Sequence, residues 1–367
     1  MKMFNCSLDE SNKVFKNKKI IFFGKGSWLQ LVNNTPLMAL KEQFAYIIDN
    51  NGEGTEKIGD ISLHVYRPER IMDEKNCIVI LTSPIYMYDM YCQLCNMKLN
   101  NSINCYALPF MQMISHKEMN EKLLCEVLGN TVDEKIPRII HSFWFSGEPK
   151  PDEYKKCVDT WSSVLKDYEI KEWNMQNYDW HKHPFLQRAI ELKAWAFAAD
   201  FARLDVLNEF GGIYLDMDVE VFKPFDGLLG NEALFSFGNN ILIDLAVMGA
   251  EKNNVIVKDL LKIYDDIPIP NEKENFKKFF QPVLVRETLV KHGIKMDGSL
   301  QKIDGVAVFP MEFFMPMDVV LYESYIKTKY NYCVHYDNFG WGVNGRNNHE
   351  KKENDNKKLW NLIAENN

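Results

Sequence analysis

Short apolar runs separated by polar turns divide the chain into two blocks. In the first, about residues 18 to 128, KKIIFFGKGSW reads as an apolar strand leading into Gly24, Lys25 and Gly26. LMALKEQ reads as a helix, FAYIIDNN as a second strand and NCIVILTSP as a later one. Strands alternating with helical segments predict parallel pairing through crossovers, the rhythm of an α/β domain. The second block opens after the polar stretch GNTVDEK with IPRIIHSFWFSG, a strand and a glycine turn. SGEPKPDEY is polar and proline-rich and predicts a loop. Residues 153 to 166 predict a helix, and YEIKEW a strand.

Residues 188 to 210, RAIELKAWAFAADFARLDVLNEF, are apolar around most of a helical circumference. That pattern predicts one helix largely buried in the domain, with Gly211 as its C-terminal stop. A strand at residues 213 to 215 follows at once. LIDLAVMGA is a further apolar run, VIVKDLLKIY reads as helix, and VAVFPMEFF and YCVHYDNFGWG contain strand-like segments. Beyond residue 344, NGRNNHEKKENDNKK is strongly polar and predicts a flexible tail. The expected domains are therefore residues 1 to 130, 135 to 344 and a tail at 345 to 367, with no internal repeat.

Composition narrows the class. The chain has 367 residues, 46% of them hydrophobic and 26% charged, with a formal charge of -8. This is an ordinary globular balance, and the negative charge argues against a nucleic-acid partner. The first residues lack the apolar core of a secretory leader, and no apolar stretch approaches a membrane span, so a cytoplasmic location is expected. Eight cysteines in a chain of this size fit a reducing compartment rather than a disulfide framework. Cys92 and Cys95 form a lone CxxC; without a second pair it reads as ordinary thiols more readily than as a redox or metal site.

The candidate chemistry sits in EFGGIYLDMDVEVFKPF. In an extended backbone Asp216 and Asp218 point to one side and Met217 to the other. At the carboxyl end of an interior strand they would face the edge where open α/β sheets bind ligands. Two carboxylates on one side suit Mn²⁺ or Mg²⁺; two turn aspartates on the surface are the alternative. Asp200 and Arg203, three apart on the preceding apolar helix, must be paired with each other or face a polar pocket. In the first block, Gly24 and Gly26 offer a turn that can seat an anion, although Leu29 stands where the dinucleotide fingerprint has its third glycine. Asp49 can accept ribose hydroxyls or cap a turn.

Taken together, IPRIIHSFWFSGEPKP, AADFARLDVLNEFGGIYLDMDVEVFKPFD and YCVHYDNFGWG resemble the DxD-containing sugar transferases. These include the yeast initiating mannosyltransferases and many bacterial capsular and lipopolysaccharide enzymes, and are more distantly similar to the glucosylating domains of large clostridial toxins. The similarity covers about residues 135 to 344. It implies a glycosyltransferase A-type fold, here preceded by a smaller Rossmann-like α/β domain of nucleotide-binding or docking character. It also implies a nucleotide diphosphate sugar donor, a divalent metal and retention of anomeric configuration.

Carried onto this chain, the resemblance gives Asp218 to the metal and places Asp216 beside ribose, donor sugar and metal. Asp200 would accept from sugar hydroxyls, and Arg203 would steady the sugar or diphosphate. Trp144 occupies the position that stacks on the base, with Ser142 and Phe143 in the same turn. His335 is a candidate for metal or phosphate, or a structural histidine. Trp341 can donate to a phosphate oxygen, whereas Gly340 stands where the family has a serine. QPVLVRETL lacks the family's usual glycine-proline pair.

The expected reaction is hexosyl transfer to a polysaccharide or lipid-linked saccharide, with UDP-glucose or UDP-galactose ahead of GDP-mannose as donor. Peripheral contact with the inner membrane face would reach a lipid-linked acceptor. A metal-dependent phosphoryl transferase and a noncatalytic nucleotide- or carbohydrate-binding assembly protein are the rivals; the former lacks a P-loop.

Overall fold

The computed structural model describes residues 1–115, 119–129, 133–239, 242–315, 328–336 and 345–366. The chain divides into two compact units. The first comprises Met1–His116, Asp318–Glu323 and Asn344–Asn367, the second Lys117–Met317 and Ser324–Val343.

The first unit is built on β1 (Lys2–Met3), β2 (Lys19–Phe23), β3 (Phe44–Ile48), β4 (Gly54–Ile58), β5 (Ile61–Tyr66), β6 (Cys77–Leu81) and β7 (Asn104–Ala107). They form one sheet in the order β1-β7-β6-β2-β3-β5-β4. All neighbours are parallel except the β4–β5 hairpin. β2 and β6 are apolar nearly throughout because both faces of a parallel sheet are covered. The Rossmann-like expectation is met. LMALKEQ departs in detail: Pro36–Gln43 is 3-10 rather than α-helical.

The polar C-terminus is not a loose tail. Gly345–Asn366 is a helix, and Leu359 and Ile363 are fully or almost fully buried in the core of the first unit. Trp360 packs against Phe110 with ring centroids 5.1 Å apart. Apolar residues four apart in the last turns form a stripe that secures the helix despite its charged first half.

The second unit contains β8 (Ile139–Phe143), β9 (Glu169–Trp173), β10 (Gly212–Leu215), β11 (Val219–Val221), β12 (Ala233–Asn239), β13 (Leu242–Ala250), β14 (Gln301–Ile303), β15 (Val306–Phe309) and β16 (Cys333–His335). Seven form a mixed sheet in the order β14-β15-β12-β13-β10-β8-β9, and β11 pairs with β16 as a separate ribbon. Hydrophobic clusters cover both faces of the large sheet. With the Rossmann-like first unit, this is the glycosyltransferase A-type organisation expected from the sequence.

The helix expected over residues 188 to 210 is two helices, Pro184–Glu191 and Trp195–Phe210. Lys193 turns the backbone with φ 52°, and Ala194 N–H donates to Ala189 O at 2.8 Å. This is a left-handed helix end made without glycine, so no composition signal marks it.

The two glycines that follow are required by close packing. Gly211 ends the helix at φ 68°, donating to Leu207 O at 2.9 Å. Gly212 has φ 112°, and a Cβ there would stand 2.6 Å from Ile139 O and 3.0 Å from His141 Nε2. His141 is fully buried; Trp173 Nε1–H donates to its Nδ1 at 3.1 Å, so Nε2 carries the proton and donates to Gly211 O at 2.8 Å. Burial keeps this imidazole neutral, its pKa lowered to about 4. Gly212→Ala is therefore expected to cost about 2–3 kcal/mol, from strain plus displacement of β8. Chemical denaturation checks it, and a loss below about 0.5 kcal/mol contradicts this packing.

Candidate active site

β10 is fully buried between β13 and β8, so the chain leaves the sheet interior at Asp216. There it turns, rather than continuing extended. Val219 N–H donates to Asp216 O at 3.1 Å, closing a four-residue turn from Asp216 to Val219. The two carboxylates thus converge because a tight turn brings them together, not because alternate residues share a strand face. Met217 points into the apolar cluster, only 6% exposed, and anchors the turn.

The ribbon of β11 and β16 brings in the third group. Val219 pairs with His335, which sets the imidazole beside the turn. Asp216, Asp218 and His335 each offer one ligand atom, and these atoms lie within 4.8 Å of one another. His335 Nε2 is 3.5 Å from Asp218 Oδ1, and its Nδ1 is 3.2 Å from Asp244 Oδ1.

The helix Trp195–Phe210 supplies the positive charge. Arg203 is buried; its Nη2 donates to Asp200 Oδ1 at 2.9 Å and lies 3.9 Å from Asp216 Oδ1. Its Nη1 donates to Leu245 O at 2.7 Å, and its guanidinium carbon sits 4.5 Å from the Tyr214 ring centroid. The Tyr214 hydroxyl donates to Asp216 Oδ1. One stretch of β13 organises all of this. Asp244 meets His335, Leu245 O receives Arg203, and Ala246 O accepts the Asp216 N–H at 2.9 Å.

Burial dominates the electrostatics. It raises the Asp200 carboxyl to about 7 against the attraction of Arg203, with the charge of Asp216 adding to the rise. Burial likewise raises Asp216, opposed by Arg203 and reinforced by Asp218. Asp244 goes the other way: burial pushes it up, but His335 and the hydrogen bonds it receives hold it below the usual carboxylate range.

A cleft opens over this cluster, with Arg203, Tyr214, Asp216, Asp218 and His335 on one side and Phe143, Trp144, Phe145, Tyr154 and Trp195 contributing aromatic walls. Trp144 follows β8, donates its indole N–H to Glu148 O at 2.6 Å and meets Tyr154 edge to face at 5.9 Å. Ser142 is elsewhere: it lies inside β8, 1% exposed, and is not part of the cleft wall. Asp200 is also absent from that wall; it lies behind Arg203, 1% exposed, with Oδ2 lacking a hydrogen-bond partner among the described residues. Gly340 and Trp341 lie outside the described residues.

Three contributors lie outside the residues that the sequence motifs single out. Asp244 is a lone charge inside the apolar run LIDLAVMGA, which is a usable signal. Tyr214 sits within GGIYLDMD. Gln281 donates to Asp200 O at 2.5 Å and to Tyr264 Oη at 3.0 Å; nothing in QPVLVRETL pointed to it.

In the first unit the glycine turn after β2 is closed by its own chain. Asp49 accepts the Lys25 N–H at 2.9 Å and the Asn51 N–H at 2.7 Å, so it caps a turn. The Thr82 hydroxyl lies 2.9 Å from Phe23 O and 2.8 Å from Gly24 O. Cys92 and Cys95 lie in the helix Met87–Asn96, both free thiols.

Residues 151–235 match the family described as glycosyltransferase sugar-binding region containing DXD motif. Inositol phosphoceramide mannosyltransferase 1 of Schizosaccharomyces pombe is 31% identical over 107 residues, 26% of this chain and 32% of that protein. An uncharacterized glycosyltransferase of Acanthamoeba polyphaga mimivirus is 36% identical over 101 residues, 26% of this chain and 40% of that one. The matches therefore span about a third to two fifths of these relatives' lengths. A glycosyltransferase involved in glycosylation of the major capsid of PBCV-1 aligns over 60% of this chain and 98% of its own at 13% identity, with a TM-score of 0.32. The region that builds the aspartate turn and its arginine helix is thus related to the DXD-motif glycosyltransferases, fungal and viral proteins among them.

Proposed function

We propose that the second unit transfers a hexosyl group from a nucleotide diphosphate sugar to a saccharide hydroxyl, with retention and with a divalent metal. The convergence of Asp216, Asp218 and His335 within 4.8 Å, beside a buried arginine and under an aromatic wall, carries this reading. Two carboxylate oxygens and one imidazole nitrogen suit Mn²⁺ or Mg²⁺ better than a structural zinc site. Such an ion, when bound, supplies Lewis-acid neutralisation of the leaving diphosphate.

The remaining work falls to this chain. Arg203 presents fixed positive charge to the cleft, already oriented by Asp200, Leu245 O and Tyr214, so no reorganisation is needed as charge develops. Asp216 is held by the Tyr214 hydroxyl, which favours a positioning role over that of a nucleophile. Asp200 lies behind Arg203, away from the cleft wall, and accepts from its Nη2, so in this reading it orients the guanidinium instead of meeting a sugar hydroxyl. With no further carboxylate lining the cleft among the described residues, the favoured route is attack on the face the diphosphate leaves. The bond from the anomeric carbon to phosphate oxygen breaks as that to the acceptor oxygen forms. The leaving phosphate takes the acceptor proton.

UDP-glucose and UDP-galactose are the first donors proposed. GDP-mannose is the second, favoured by the mannosyltransferase names of the fission-yeast relatives. A polysaccharide or lipid-linked saccharide is the proposed acceptor; among the described residues no helix is long and apolar enough to cross a membrane. Calorimetric titration of these donors with Mn²⁺, followed by assay of released nucleoside diphosphate, tests the function. Binding without release across donors and acceptors overturns transfer in favour of a binding protein. In the same assay Trp144→Ala is expected to raise the donor KM on the order of 10- to 100-fold, the worth of one base stack, while Trp144→Phe retains most of the affinity. Equal KM in all three proteins removes Trp144 from the nucleotide site.

A further inference from the structure

We infer that Asp244 is the residue that positions His335, accepting its Nδ1 proton so that the Nε2 lone pair is turned toward Asp218 and the divalent cation. This rests on the metal-dependent reading of the site given above.

Asp244 lies in β13, where its neighbours in LIDLAVMGA are apolar, and its side chain is only 10% exposed. A lone carboxylate in such a strand is costly unless a specific partner holds it. Its Oδ1 lies 3.2 Å from His335 Nδ1, a close ion-pair contact whose alignment falls short of a straight hydrogen bond, and receives the Ala246 N–H at 3.3 Å, while Oδ2 has no hydrogen-bond donor among the described residues. The backbone is shaped to place it there. β12 shifts register against β13 on either side of the two pairs Ser236–Asp244 and Phe237–Ile243, and Gly238 lies so close that a Cβ would sit 3.1 Å from Asp244 Cβ.

The tautomer follows from which nitrogen faces which group. Both ring nitrogens of His335 face carboxylates, Asp244 at 3.2 Å and Asp218 at 3.5 Å. A neutral imidazole has one proton to donate, and carboxylates only accept. The nearer contact, to Asp244, takes the proton. Nε2 then presents its lone pair to a second carboxylate, an arrangement that is favourable when a cation lies between them. Metal-binding histidines are commonly fixed through the other ring nitrogen in this way, and loss of that partner typically costs about 10- to 100-fold in metal affinity.

The test is Mn²⁺ affinity, measured on the full chain without donor by calorimetry and by the loss of the free-ion electron paramagnetic resonance signal. Wild type, Asp244→Ala, Asp244→Asn and His335→Ala are compared, with circular dichroism to verify folding. Asp244→Ala is expected to weaken Mn²⁺ about 10- to 100-fold. Asp244→Asn, isosteric and still able to accept from Nδ1–H, is expected to lose only about three- to tenfold. Unchanged affinity in either variant overturns the assignment. So does a loss in Asp244→Asn as large as in His335→Ala, which would make Asp244 a direct ligand. A wild-type protein that binds no Mn²⁺ overturns the metal reading itself, and the inference with it.

Discussion

Asp218→Asn is expected to lower donor turnover by at least about 10²–10³-fold while leaving the protein folded. The substitution keeps the shape of the side chain and the four-residue turn, since that turn is closed by the Asp216 carbonyl and the Val219 N–H. It removes one of the two carboxylate charges that, with His335, bring three ligand atoms within 4.8 Å. An amide replaces a charged ligand by a neutral one, and the loss falls directly on the ion and on its stabilisation of a leaving diphosphate. Stability moves little, because two effects oppose each other: deleting the Asp218 charge relieves its repulsion with Asp216 but gives up its contact with His335 Nε2 at 3.5 Å. The measurements are nucleoside diphosphate release at saturating Mn²⁺ and a thermal melt without metal. Turnover within about tenfold of wild type, at a melting temperature within about 2–4 °C of it, would falsify the assignment of Asp218.

The parts of this site legible in the sequence were those whose physics is local. GGIYLDMD announces a buried strand and two carboxylates at its exit, because apolar runs and glycines report burial and tight backbone. Asp200 and Arg203 were legible as a pair because helical spacing puts them on one face. The placement of Asp200 behind Arg203, away from the cleft wall, was not, since it depends on the depth at which the helix packs. Nor was the turn at Asp216, since a strand and a turn exit share the same two aspartates. Asp244 and His335, about 90 residues apart in the chain, meet through the pairing of β13 with β10 and of β16 with β11. Their encounter belongs to topology. The terminal helix shows the opposite error: its charge masked a four-residue apolar spacing, Leu359 to Ile363, already present in the sequence.

Arg203→Met is expected to destabilise the second unit by up to about 3–5 kcal/mol well above neutral pH, more than any other single change discussed. The reason is what it strands. Asp200 is 1% exposed, and Arg203 is the side chain that donates to its Oδ1; Oδ2 already lacks a partner among the described residues. Methionine fills much of the volume, so the cost is an uncompensated charge rather than a cavity. The pH dependence identifies the cause. The Asp200 carboxyl is raised from an ordinary value of 3.8 to about 7, so the folded state holds its proton more tightly than the unfolded chain does. Its contribution to stability is therefore most favourable below pH 4 and is lost as pH rises toward 7. Removing Arg203 deletes the attraction that lowers this carboxyl, so the loss continues to higher pH. The penalty of Arg203→Met is thus expected to be small at pH 4–5 and largest above pH 7. Combining it with Asp200→Asn is expected to recover most of the lost stability above pH 7, because no charge is then stranded. Denaturant melts of the four proteins at pH 5 and 8 decide this. A penalty independent of pH, or unrelieved by Asp200→Asn, would assign Arg203 to packing. Rescue by the asparagine, with donor turnover still lost, would mean that the buried pair exists to hold a guanidinium beside Asp216 and over Tyr214, at a site where an uncharged pair folds as well.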